Sequence, residues 1–162
     1  MTLRVQVDIA RQQLSCADNG RLVARYPVST AANGPGQKMD SLCTPLGGHV
    51  ICARIGAGLP VNTVFVGRKP TGEIYTPALR DDDPGRDWIL TRILWLSGLE
   101  TNRNRCGEVD TRQRYIYIHG APDEVPMGQP GSHGCVRMHN QDVIELFDRV
   151  AVGTRVDIVD GA

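Results

Sequence analysis

Cysteine is present in this chain but never in the arrangements that build a scaffold. The five cysteines, Cys16, Cys43, Cys52, Cys106 and Cys135, are odd in number, widely spaced and form no CxxC pair. That excludes a paired disulfide framework and the strong zinc patterns, and it suits a reducing compartment where most buried thiols act as small hydrophobes. Net charge is missing too. Eighteen basic residues balance eighteen acidic ones, so no overall field favours a nucleic acid or an anionic membrane as partner. Long apolar runs are lacking as well: the longest, WILTRILWLSG at residues 88–98, is broken by Thr91 and Arg92 and falls short of the ~20 residues of a membrane span. The opening MTLRVQVDIARQQL alternates apolar and polar residues and shows no signal-like apolar core with a small-residue cleavage site. With Met1 as the natural start, a cytoplasmic location is expected. There is no internal repeat, low-complexity tract or linker, and 162 residues suffice to bury a core without a staple. One domain over residues 1–162 is the expectation.

What is present reads mostly as strands. Val5, Val7 and Ile9 fall on one face of RVQVDIA with Arg4, Gln6 and Asp8 on the other, the period of a half-buried strand. QQLSCAD and RLVARYPVS flank Asn19-Gly20, a dipeptide that favours a tight hairpin turn. TPLGGHVICARIG and NTVFVGRKPTGEIYTP, bounded by Gly and Pro and rich in branched residues, also read as strands. WILTRILWLSG suits strand or buried helix by pattern, and its tryptophans and isoleucines favour strand. PALRDDDPGRD, residues 77–87, is polar with two prolines and is expected as a surface loop, either plain connection or a flap. One helix is expected near the C-terminus: Val143, Ile144, Phe147 and Val150 recur at helical spacing, Asn140 is a good N-cap, Asp142 suits the first turn and Gly153 stops the run. TRVDIVD closes as a strand. The expected architecture is mainly β, two sheets packed face to face with one clear helix.

Chemistry concentrates in two segments, RYIYIHG (residues 114–120) and GSHGCVRMHN (residues 131–140). Strand alternation puts Tyr115, Tyr117 and His119 on one face of the first, and Ile116 and Ile118 on the core face. His119 then ends the strand at Gly120, on a rigid scaffold with an aromatic wall behind it. In the second segment His133, Cys135 and Arg137 share a face if the backbone stays extended, and glycines let that backbone approach a ligand closely. A cysteine nucleophile needs a base or a lowered pKa, and His133 and His119 are both candidates. The competing reading of Cys135 as an inert core thiol fits poorly with so many glycines and histidines around it. A metal site of His119, His133, Cys135 and His139 matches no strong spacing. Arg137 suits either a bidentate grip on a substrate carboxylate or a tie to loop carbonyls. His139 reads as a surface residue.

His119-Gly120, followed from the twelfth residue onward by Ser132-His133-Gly134-Cys135-Val136-Arg137-Met138, resembles the signature of the L,D-transpeptidase catalytic domain family of YkuD type. VDIARQQL, the hairpin into YPVSTA, and TPLGGH resemble that family's opening strands and its Thr-Pro-x-Gly segment, so the resemblance covers nearly the whole chain. It implies a β-sandwich-like catalytic domain acting on peptidoglycan stem peptides, without cofactor or metal. Such enzymes attack the carbonyl of a diamino acid, usually meso-diaminopimelate, at its bond to a terminal D-alanine. Carried over, Cys135 takes the nucleophile position, His119 the general base, and the Gly120 carbonyl orients the ring. The amides of Gly134 and Cys135 form the oxyanion hole, with His133 beside them. Ser132 supports the loop at the substrate, Arg137 holds the motif or a substrate carboxylate, and Tyr117 belongs to the substrate-binding wall. The sequence leaves the choice of base open; the family pattern favours His119 over His133. Two departures stand out: no export signal is read, and no wall-binding module flanks the domain. The expectation is therefore a cytoplasmic enzyme that uses water as acceptor, an L,D-carboxypeptidase acting on soluble tetrapeptides or muropeptides returned by wall turnover. The alternatives are an L,D-transpeptidase forming 3-3 crosslinks or exchanging D-amino acids, and a non-catalytic muropeptide-binding module.

Overall fold

The computed structural model describes residues 2–161. Strand alternation in the sequence becomes a run of ten strands: β1 Leu3–Asp8, β2 Gln13–Asp18, β3 Arg21–Ser29, β4 Gly47–Ile55, β5 Thr63–Val66, β6 Lys69–Ile74, β7 Ile89–Gly98, β8 Tyr117–Gly120, β9 Val136–Met138 and β10 Arg155–Val159. Asn19 and Gly20 turn the β2–β3 hairpin with φ of 52° and 85°, as that dipeptide predicts. The ambiguous WILTRILWLSG is β7, a strand.

These strands form one sheet rather than two packed against each other. Its order is β4-β10-β1-β2-β3-β9-β8-β7, and β7 then pairs with β4, so these eight strands close on themselves. The β5–β6 hairpin hangs from β7. Closure works because β4 is bonded on both edges, to β10 through Gly47–Val50 and to β7 through His49–Ile55. The register shift between Ile51 and Ala53 bends β4 as it passes from one neighbour to the other. Alternation alone reads the same in a sandwich and in a closed sheet; only this long-range pairing separates them. Closure also removes the exposed edges that two open sheets would carry.

The interior takes one face of each strand. Val5, Val7, Leu14, Val28, Ile51, Leu94, Ile118, Val136 and Ile158 are at most 1% exposed and form one cluster. At ~25 cal/mol per Å² of apolar surface removed from water, such a cluster is the main force holding the strands in register. The expected helix is α2, Asn140–Arg149. It adds Val143, Leu146 and Phe147 to the cluster, with Val150 just past its end; Leu146 occupies the buried row and Ile144 stays half-buried. The cap position falls on His139, not Asn140. Asn140 is drawn inward, where its amide is hydrogen-bonded to other segments. A second helix, α1 Pro77–Asp82, forms inside the stretch expected as a surface loop, either plain connection or flap. Thr76 Oγ caps it by accepting from Leu79 N at 3.1 Å, and Pro77 stands in its first turn, the usual start signal that the surrounding charges obscured. Among the described residues no helix is long and apolar enough to cross a membrane.

Candidate active site

β8 and β9 run parallel, with Ile118 opposite Val136, His119 opposite Arg137 and Gly120 opposite Met138. Register partners share a face. Ile118 and Val136 point into the core, so His119 and Arg137 point the other way, together with Tyr117 and Cys135 one step back along each chain. Tyr117 and His119 of β8 thus meet Arg137 of β9 and Cys135, the residue just before β9, on one outward face. A cavity of about 400 Å³ opens there, and Cys135, His119, Ser132 and His133 all line it.

The thiol of Cys135 is held between two backbone groups. Tyr117 N donates to Sγ at 3.3 Å, and Sγ donates to the Tyr115 carbonyl at 3.4 Å. That carbonyl is presented by an abrupt turn: Tyr115 has φ of 56°, so the strand begins only at Tyr117 and the Tyr115 ring is exposed. Burial pushes the Cys135 thiol up to about 12, countered by the Tyr117 N–H and by Arg137 and Arg114, while Asp87 adds to the rise. His119 is 1% exposed, and its ring nitrogen Nδ1 lies 2.6 Å from the Gly120 carbonyl. A carbonyl only accepts, so Nδ1 carries the proton and Nε2 presents its lone pair. Burial holds the His119 pKa below its ordinary value against the pull of that carbonyl. Burial thus acts on both groups in the direction of their uncharged forms.

Gly120 can have no side chain. A methyl there would run into the Asn140 amide oxygen and the Leu90 carbonyl (2.6 Å). Asn140 is fixed in turn: Oδ1 accepts from Thr91 Oγ at 2.6 Å and Nδ2 donates to Asn62 Oδ1 at 2.9 Å. The helix start thus wedges the carbonyl that orients His119.

The turn carrying Cys135 is also built from polar contacts. Ser132 Oγ donates to the Cys135 carbonyl at 2.5 Å and accepts from Gly134 N at 3.2 Å. The Gly134 N–H, expected with that of Cys135 to form an oxyanion hole, is thereby committed to the serine. No acceptor engages the Cys135 N–H among the described residues. Gly134 has φ of 130°, and a methyl would press on Ile116 at 3.1 Å and the Cys43 carbonyl at 3.2 Å. Thr44 Oγ donates to the Gly134 carbonyl at 2.8 Å.

The remaining expected residues take varied positions. His133 is exposed at the rim, with no hydrogen bond fixing its ring among the described residues. Arg137 donates to Ser29 Oγ at 3.1 Å, tying strand to strand, and its Nε is buried without a partner. Tyr117 is 4% exposed and its hydroxyl accepts from Arg68 at 3.0 Å, so it forms the cavity's floor rather than an open wall. His139 is half-buried and outside the cavity. Among the described residues no three His, Cys, Asp or Glu side chains are grouped to hold a metal ion.

Several residues escaped the sequence reading. Arg114 reaches from the loop before β8 to the carbonyls of Gly36 and Cys43 at 3.2 and 2.7 Å, closing one side of the cavity. Asp87 and Arg68 line it from the stretches before and between strands. Asp87 lies in a charge run that reads as solvated, and nothing in the pattern separates it from its acidic neighbours. Thr44 alone had a signal, in TPLGGH.

Comparison with known proteins agrees with this geometry. The sequence model of the YkuD family, described as the L,D-transpeptidase catalytic domain, matches residues 2–158. The chain is 37% identical over 89 residues to YkuD of Bacillus subtilis (strain 168), which spans 55% of this chain and 44% of the relative. It is 48% identical over 50 residues to YqjB of the same organism, 31% of this chain and 28% of that one. Among solved structures, the L,D-transpeptidase LdtMt1 in complex with imipenem is similar with a TM-score of 0.59 at 20% identity, over 98% of this chain and 59% of that one. That likeness is one of fold, and the chain spans less than two thirds of the length of each of these relatives. With the family model matched from residue 2 to residue 158, the chain belongs to the YkuD family of L,D-transpeptidase catalytic domains.

Proposed function

We propose that the protein is a cysteine acyltransferase acting on peptidoglycan stem tetrapeptides, cleaving the diaminopimelate–D-alanine bond with water as the acceptor. The observation that carries this reading is the placement of Cys135 and His119 on one face of two paired strands, with the histidine tautomer fixed by Gly120. As Cys135 Sγ attacks the diaminopimelate carbonyl, its proton passes to His119 Nε2. The Cys135 N–H, uncommitted at the turn, faces the developing oxyanion. When the C–N bond breaks, the imidazolium returns the proton to the leaving amine, releasing D-alanine and a thioester. Water then attacks the thioester, His119 takes its proton, and the thiol leaves with that proton. The products are a tripeptide and D-alanine. His133 contacts substrate at the rim.

The cavity of about 400 Å³ around Cys135 and His119 lies within the ~300–1,000 Å³ range for ligand sites. All five thiols are free, which suits the reducing cytoplasm as the compartment. An amine acceptor in the same site would instead give 3-3 crosslinks or D-amino acid exchange. Imipenem, bound by the structural relative, is expected to acylate Cys135. Mass spectrometry of tetrapeptide products, with and without an added amine acceptor, tests the proposal. D-alanine and tripeptide should dominate in both; transfer products as the main species would overturn hydrolysis, and no turnover would overturn the enzyme.

A further inference from the structure

Two arginine-lined grooves differ in how their charge is met. In one, of about 610 Å³ and bounded by β1 and β10, Arg4, Arg149 and Arg155 line the walls. Each has a carboxylate: Arg4 and Arg155 hold Asp157 at 2.8 and 2.9 Å, and Arg149 holds Glu145 at 3.2 Å. The other, of about 430 Å³, adjoins the active-site cavity and shares Arg68 and Tyr115 with it. Its arginines are Arg68, Arg105 and Arg112, and none has a salt-bridge partner among the described residues. The one acid in its wall, Asp110, caps its own loop by accepting from Cys106 N at 2.7 Å and Gln113 N at 2.9 Å.

Arg68 is also held in place. It sits in the β5–β6 turn, where Gly67 and Arg68 both have positive φ, 57° and 67°. Its guanidinium lies 4.9 Å from the Trp95 ring centre and 4.6 Å from that of Tyr115, and donates to Tyr117 Oη at 3.0 Å. Arg112 covers the Trp95 ring at 5.2 Å. Guanidinium groups stacked on aromatic rings keep their N–H edges free for a carboxylate. The groove thus carries three guanidinium groups against one carboxylate, and it begins at the mouth of the active-site cavity.

We infer that this groove binds the carboxylates of an acidic peptide whose scissile end lies at Cys135, with Arg68 at the junction and Arg105 and Arg112 beyond. The inference deepens the proposed function and rests on it for the identity of the peptide: a stem tetrapeptide carries more carboxylates than ammonium groups.

Binding of the stem tetrapeptide to the Cys135→Ala protein, measured by calorimetry, tests this. Adding Arg105→Ala and Arg112→Ala should weaken binding roughly fivefold to tenfold, because two charge contacts at an exposed groove are lost. Arg68→Gln should weaken it further. The fully amidated peptide should bind both proteins within about twofold of each other, and raising salt from about 50 to about 300 mM should shrink the difference for the acidic peptide. Equal binding of the acidic peptide to both proteins, or an equal loss for the amidated one, overturns the inference. Inorganic phosphate that binds more tightly than the acidic peptide, with the same loss on Arg105→Ala and Arg112→Ala, also overturns it, in favour of a phosphate site. Absence of D-alanine release by the unmodified protein defeats the proposed function alone, since binding reads the groove independently.

Discussion

The two faces of β8 and β9 are a few ångströms apart and obey opposite rules. Inward, Ile118 and Val136 are fully buried and interchangeable in kind with any aliphatic neighbours of similar volume. Outward, Tyr117, His119, Cys135 and Arg137 each have a specific polar partner: Arg68, Gly120, the Tyr115 and Tyr117 backbone, and Ser29. The difference shows how the fold supports chemistry. The apolar face supplies rigidity, because a close-packed interior fixes strand register; the polar face converts that register into the direction of a lone pair and a thiol.

The comparison breaks most completely at the outward face. On the proposed mechanism, Cys135→Ala should lower D-alanine release about 10,000-fold or more, while urea denaturation midpoints stay near those of the parent protein. His119→Ala should cost about 100-fold to 10,000-fold, the usual contribution of a positioned base. With burial lowering the His119 pKa and raising that of the thiol to about 12, the acid limb of kcat/KM should lie below the usual histidine range. An acid limb at or above the usual histidine range would overturn His119 as the base. Iodoacetamide should label Cys135 slowly at neutral pH and faster as pH rises. The inward face should respond in the opposite sense: Ile118→Ala should cost about 2–5 kcal/mol of stability through the cavity it leaves, read by urea denaturation. Whatever folded protein remains should still acylate with imipenem.

Legibility in the sequence divided along the same line. Alternation exposed the strands and placed Ile116 and Ile118 inward, and the density of glycine and histidine around Cys135 singled out a turn that lines the cavity. Closure of the sheet was not legible, because β4 meets β10 and β7 through contacts distant in sequence that leave no periodic trace. Helix α1 was hidden by its charges although Thr76-Pro77 signalled its start. Asp87, Arg68 and Arg114 come from loops, where position is set by tertiary contacts and composition says only that the segment is polar. Even the Gly134 amide, assigned to the oxyanion hole by resemblance, is redirected by a neighbouring serine hydroxyl whose orientation no pattern encodes.

Burial acts on a second histidine that lies outside the cavity, which sharpens the contrast between position and use. His49 on β4 is fully enclosed between the Gly47 carbonyl (3.0 Å) and Thr111 Oγ (2.9 Å), and burial lowers its pKa from 6.5 to about 4. Below pH 6.5 the unfolded chain takes up a proton that the native protein refuses until about pH 4. Stability from this site is therefore complete above pH 6.5 and is lost as pH falls toward 4, by ~3 kcal/mol at most. His119 shifts in the same direction and adds to the loss. Urea midpoints measured across this window should fall steadily, and His49→Gln should flatten the slope; an unchanged slope would assign the acid sensitivity elsewhere.

The smallest effect lies where the two faces join, at Thr44. Its hydroxyl accepts from Ala31 N at 3.0 Å and donates to the Gly134 carbonyl at 2.8 Å, both buried. Thr44→Val keeps the shape and leaves a buried N–H and a buried carbonyl unpaired, a cost of about 1–3 kcal/mol. Thr44→Ser keeps both bonds and loses only a methyl group. If Thr44 merely fills space, the two variants should differ little in turnover. If it holds the turn that presents Cys135, Thr44→Val should lower kcat several-fold with KM little changed, and Thr44→Ser should restore most of it. A hydroxyl with no access to substrate would then be setting the rate through the carbonyl next to the nucleophile.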